Sequence, residues 1–197
     1  MQHTIQQELK GVSIFVAIIW GVFLLECVLP FQWHSYGVTP RTVSGLIGIP
    51  LMPFLHGNLQ HISSNTVPLF VLLILLAGSK TRSWQVVASI VLLGGGLLWL
   101  FGRPATHVGA SGLIFGLIAY LVVSGWLERR FVPLMISVVV TFLYGGTLFW
   151  GMMPSVGTHV SWDGHLFGAL AGCLIAFVLT KKSNWFKRTS SADRQPS

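Results

Sequence analysis

Six apolar stretches, each close to the length of a membrane-crossing helix, occupy most of the 197 residues. Crossing the hydrocarbon layer as a helix takes about 20 mostly apolar residues. The stretches run 11–29, 62–79, 84–102, 111–128, 131–152 and 164–180. Only Glu128, Arg129 and Arg130 divide the fourth from the fifth, so these residues form a tight turn. Lipid offers the backbone no hydrogen-bond partner, so such stretches must be helices packed as a bundle. Composition agrees: 53% of the residues are hydrophobic and 9% charged, where a water-soluble domain carries about a quarter charged. The expected fold class is an all-α membrane protein with a six-transmembrane-helix bundle.

An even number of spans puts both termini on one side, together with the second and fourth loops. Ten of the twelve Lys and Arg fall on that side, all but Arg41 and Arg103. Basic residues are retained in the cytoplasm, so both termini are expected there. The net charge of +7 is thus a topology signal. Its dispersal, without interleaved aromatics, argues against nucleic-acid binding. The first stretch is longer than a signal-peptide core, and Leu25-Glu26-Cys27-Val28-Leu29-Pro30 offers no small-residue cleavage site, so it reads as a retained span. A compact six-span plan with no presequence points to a bacterial inner membrane. One membrane domain, 11–180, is expected between a short cytoplasmic N-terminus, 1–10, and a basic, disordered tail, 181–197. Cys27 and Cys173 fall within spans and have neither metal nor disulfide spacing. Nothing in the chain implies a cofactor, and oligomeric state is not encoded in these patterns.

Two connections are unusual. Residues 30–61 carry Phe31, Trp33, Tyr36, Phe54 and several prolines, too apolar for a solvated loop and too broken for a span. Interfacial aromatics place this segment partly in the outer leaflet. Residues 153–163 have the Pro, Gly and Ser content of a mobile cover.

Polar side chains in lipid are costly, so each needs a reason. Six of the seven histidines map to the outer half. His34, His107 and His159 read as loop residues, where neutral imidazole is tolerated on the translocated side. His61 and Asn65 have i,i+4 spacing and share one helix face at the outer end of the second span. Both are hydrogen-bond donors that could stabilise a developing oxyanion; capping and interhelical bonding satisfy the same spacing. His56 lies just ahead of them.

Ser111 opens the fourth span between Gly109 and Gly112. A serine there is often a packing residue. Yet Gly112 and Gly116 form one small-residue face, and Gly168 and Gly172 form another on the sixth span, beside His165. Small residues let two helix backbones approach closely, which would bring Ser111 and His165 to one depth. Phe115, four residues on, shares the face of Ser111 and is placed to pack on the imidazole. Amides at a helix start lack intrahelical partners and favour negative charge. Ser111 as nucleophile and His165 as general base then form a dyad. No acid completes a triad: of the five, only Glu26 and Asp163 lie on the outer side, and Asp163 is too near His165 in sequence to orient it. Paired intramembrane aspartates and a His-Glu-x-x-His metal motif are both missing, so no metal is expected.

Three elements together, His56-x4-His61-x3-Asn65, Gly109-x-Ser111-Gly112 and His165-x2-Gly168-x3-Gly172, resemble the rhomboid family of intramembrane serine proteases. They fall in the second, fourth and sixth spans, the order that family uses, and the resemblance covers roughly residues 11–180. It implies an intramembrane serine endopeptidase acting on membrane-anchored proteins. Ser111 and His165 would be catalytic, with an oxyanion site from the Ser111 N–H, His61 and Asn65. His56 and Gly109 would be structural. Substrate would enter laterally past the fifth span and the 153–163 cover. The chain departs from the pattern twice: Ile49-Pro50-Leu51-Met52-Pro53 stands where many members carry a Trp-Arg pair, and Phe115 stands where bacterial members often have Tyr. The competing readings are a catalytically silent rhomboid-like protein that binds transmembrane clients, and a small channel or transporter, which would want charges lining a path.

Overall fold

A computed structural model describes the backbone of residues 5–29, 31–79, 82–154 and 161–192, with side chains from 6 and up to 181 within those segments. Its helices are α1 (Ile5–Val28), α2 (Gly48–Leu51), α3 (Leu59–Ser79), α4 (Ser83–Phe101), α5 (Ser111–Glu128), α6 (Phe131–Gly151) and α7 (Trp162–Ala192). All but α2 are long and apolar enough to cross a membrane. The six expected spans are present, with ends shifted by a few residues.

Three stretches differ from the sequence pattern. α1 starts well before residue 11 because its polar first turns are anchored: Ser83 Oγ donates to Glu8 Oε2 at 2.9 Å, and Glu8 is buried. α7 continues as helix to Ala192 where the sequence suggested a disordered tail from residue 181. The connection expected over 30–61 contains, among its described residues, short helical turns at Trp33–Tyr36, Ser44–Leu46, α2 and Met52–Phe54. The 155–160 part of the expected cover, with His159, lies outside the described residues.

α5 is the centre of the bundle. Of its span 67% is buried, against 17% for α1 and for α6. A helix apolar on every face belongs in a core, and α3, α4, α6 and α7 all pack on this one. α1 and α6 instead turn large apolar side chains outward, Phe142 at 88% exposure among them. Between spans in lipid the hydrophobic effect gives little attraction, so close packing must supply it. The tightest seam joins α5 and α7. A Cβ built on Gly168 would overlap the carbonyl of Gly112, and one on Gly172 would overlap that of Gly116. The third side of the seam is α4, where a Cβ on Gly94 would lie 3.3 Å from the Gly168 Cα.

Two ends of the bundle are closed by unusual backbone. Arg129 ends α5 in the left-handed region at φ 50°, making the turn into α6 in very few residues. On the opposite side Arg41, at φ 59°, reaches the C-terminus of α4: its Nη1 donates to the carbonyls of Gly102 (2.9 Å) and Leu100 (3.3 Å). A cation on the last carbonyls of a helix is favourable. Trp99 Nε1 donates back to the Thr42 carbonyl at 2.7 Å, which fixes the 38–46 segment against α4.

Gly168→Ala is expected to destabilise the bundle by about 1–3 kcal/mol, the usual cost of overpacking. Gly78→Ala, where an added Cβ meets nothing within 4 Å, should change stability by no more than about 0.5 kcal/mol. Reversible unfolding in mixed micelles compares the two.

Candidate active site

At the start of α5, Ser111 opens into a cavity of about 730 Å³ that Asn65, His61, Phe115, Gly151 and His165 also line. Each side chain has a local cause for its place. α5 has no side-chain cap at its start, and its first internal bond is Ile114 N–H to the Ala110 carbonyl at 3.0 Å. The Ser111 amide therefore lacks an intrahelical acceptor. Gly109 precedes it at φ 114°, a conformation that side chains rarely adopt. A Cβ there would also sit 2.6 Å from the His61 ring. Glycine is required at this position twice over, by its torsion and by the ring.

His61 and Asn65 come from the first turns of α3, which Asn58 caps by accepting the His61 N–H on its Oδ1 at 2.9 Å. Asn65 Nδ2 lies 3.2 Å from His56 Nε2, and the Ala110 N–H donates to the same nitrogen at 3.4 Å. His56 Nε2 is thus an acceptor, which orients the Asn65 amide with its NH2 group toward the ring. One N–H is spent on His56; the second remains for the cavity. His56 in this way ties the turn before Ser111 to the helix that carries Asn65 and His61.

His165 sits on the first turn of α7, 8% exposed. Its Nδ1 donates to the Gly151 carbonyl at the end of α6 (2.8 Å), which leaves the Nε2 lone pair available as a base. Phe115 stacks on the imidazole with centroids 4.0 Å apart and planes 7° from parallel. Both partners need Gly151, because a Cβ there would strike the Phe115 ring. Ser111 and His165 share the cavity without a direct hydrogen bond among the described residues. No group of three or more His, Cys, Asp or Glu suited to hold a metal ion occurs among the described residues.

A family profile described as the Rhomboid domain matches residues 43–182. The chain belongs to the rhomboid family. Two mycobacterial proteins named only as uncharacterized, from Mycobacterium bovis and Mycobacterium tuberculosis, are each 40% identical over 195 residues, covering 92% of this chain and 80% of theirs. Rhomboid-like protein 11, chloroplastic, of Arabidopsis thaliana is 31% identical over 202 residues, covering 89% of this chain and 68% of its own.

Within this rhomboid bundle no Trp-Arg pair occurs in the first loop. Arg41 and Trp99 hold the first loop to α4 through the carbonyl contacts given above. A one-residue antiparallel bridge between Val38 and His107 joins that loop to the segment before Ser111.

Sequence reasoning missed three groups. The Gly151 carbonyl has no signature, since every residue carries one. His107, read as a loop residue, is 3% exposed, and Asp163, set aside as too near His165, is 2% exposed. One signal was available for these two: Arg103 and Asp163 are complementary charges on a side nearly free of charge.

His56 lies outside the spans, and burial, reinforced by the nearby His61 ring, pushes its pKa down to about 4. Unfolded, it titrates near 6.5. The unfolded state therefore binds the proton first, so stability is full above about pH 6.5 and falls as pH drops toward 4. Thermal unfolding in detergent should show a lower midpoint at pH 5 than at pH 7. In His56→Gln, which still presents an acceptor but does not titrate, that difference should shrink.

Proposed function

We propose that this rhomboid protein is an intramembrane serine endopeptidase that cleaves membrane-anchored proteins in or near their transmembrane segments. The observation that carries the reading is the pairing in one cavity of Ser111, at an uncapped helix start, with His165, whose Nδ1 proton is committed to the Gly151 carbonyl.

Ser111 Oγ attacks the scissile carbonyl carbon and its proton passes to His165 Nε2. The tetrahedral oxyanion is held by the Ser111 N–H, the free Asn65 N–H and the His61 ring. Collapse expels the amine, which takes the proton from His165, and leaves an acyl-enzyme on Ser111. Water, deprotonated by the same histidine, releases the new carboxyl terminus. The Gly151 carbonyl does the orienting work that a carboxylate does in a triad, fixing the tautomer and stabilising the imidazolium as it forms. A carbonyl dipole is weaker than an anion, but it carries no charge into lipid, where a central charge costs about 2.5–3.5 kcal/mol or more. Phe115 holds the ring from its other face.

Substrate is a transmembrane protein whose helix unwinds at the outer surface and enters between α3 and α6. On the cavity's membrane side Pro68, in the middle of α3, cannot donate to the Ser64 carbonyl, and Tyr144 and Trp150 of α6 line the same space. Both termini face the cytoplasm, and the membrane is a bacterial plasma membrane, as the basic-residue distribution and the mycobacterial relatives support.

Reconstitution with a single-span substrate tests this. Wild type should cleave, Ser111→Ala and His165→Ala should not, and Asn65→Ala should lose about 10²-fold in rate. Equal cleavage by wild type, Ser111→Ala and His165→Ala would end the endopeptidase reading. So would the absence of cleavage alongside retained substrate binding, which is the signature of a silent client-binding relative.

A further inference from the structure

We propose that Asp163, Arg103, His107 and Ser161 are positioning residues that fix the separation of Ser111 from His165; this rests on the endopeptidase reading. The four join the two chain segments that lead into the two reactive side chains. Arg103 and His107 lie in the segment before Ser111. Ser161 and Asp163 lie at the entry to α7, before His165.

The links are specific. Asp163 Oδ2 accepts the Arg103 backbone N–H at 2.9 Å, and its Oδ1 accepts the Arg103 guanidinium at 3.2 Å. His107 Nε2 faces two acceptors, the Arg103 carbonyl at 3.3 Å and Asp163 Oδ2 at 3.6 Å. In the neutral ring Nε2 therefore carries the hydrogen and Nδ1 accepts. Ser161 Oγ donates to Asp163 Oδ1 at 3.3 Å and lies 2.7 Å from His107 Nδ1, so the hydroxyl bridges the two side chains. The Ser161 carbonyl in turn accepts the His165 N–H at 3.0 Å. A continuous path thus runs from the His165 backbone through Ser161 to His107, which is four residues from Ser111. His107 also exchanges both backbone hydrogen bonds with Val38, at 2.9 Å each, so it is tied to the first loop as well.

Stability alone is a poor reason for this arrangement. Asp163 and His107 are both nearly inaccessible. The Arg103 side chain, by contrast, is 41% exposed, and an ion pair open to solvent on one side adds little stability. What apolar contacts do not supply is direction: fork-shaped and bidentate hydrogen bonds fix register as well as proximity. Productive geometry needs reacting atoms about 3–3.5 Å apart, and a displacement near 1 Å costs on the order of 10²-fold. The glycine seam sets how closely α5 and α7 approach. At the outer end, where Ser111 and His165 sit, the four polar residues add direction to that close approach.

The test follows covalent labelling of the full-length protein in detergent by a fluorophosphonate, which reports how well His165 activates Ser111. The rate constant measures positioning, while the final labelled fraction measures folded protein. In Asp163→Asn and in Ser161→Ala the rate constant should fall at least tenfold with the labelled fraction near that of wild type. The kcat on a single-span substrate should fall with KM held within twofold. His107→Gln combined with Asp163→Asn should lose less than the product of the two single effects, since both act through one network. Should Asp163→Asn fail to fold, Ser161→Ala, the loss of one hydroxyl, decides. Rate constants within twofold of wild type would overturn the proposal, as would losses that merely track the labelled fraction. Wild type that labels no better than Ser111→Ala would instead remove the endopeptidase reading, and the proposal with it.

Discussion

Backbone contact between α5 and α7 is the constraint on which the rest depends. Gly112 meets Gly168 and Gly116 meets Gly172 so closely that no side chain fits at Gly168 or Gly172. In lipid this intimacy is itself the adhesive, because apolar side chains gain little by leaving hydrocarbon for protein. Moving α7 outward by the width of a methyl group would withdraw His165 from Phe115 and from the cavity at once. The seam also explains why α5 is central: a helix that receives a backbone on one face can be surrounded on the others by α3, α4 and α6.

Around that seam, several hydrogen bonds link segments distant in sequence. His56 joins the turn before Ser111 to α3. His165 joins α7 to the end of α6. Arg41 joins the first loop to the end of α4. Each bond costs desolvation in a medium where unmade bonds are expensive, so the outer half of the molecule is rigid where these links converge. α6 is the least enclosed of the inner helices, packed chiefly on α5, and its far face is given to lipid.

The sequence was informative where a pattern has one structural solution. Six long apolar runs permit only a helical bundle, and paired glycine spacings on two of them anticipate a close crossing. It was least informative where the deciding group is common to all residues or lacks a period. The Gly151 carbonyl is of the first kind. The short turns between Trp33 and Phe54 are of the second, since helices of three or four residues are too brief to show a repeat. The early start of α1 was hidden because Glu8 looks like a solvent-exposed residue until Ser83 is seen beside it. His107 was legible only as polarity in a loop; its burial depends on three segments distant in sequence.

The partner of His165 has one consequence for how this protein tolerates change. A carboxylate that orients a histidine is removed by a single substitution. A main-chain oxygen survives every replacement of the residue that bears it. Position 151 is instead limited by bulk, because any larger residue presses on the Phe115 ring.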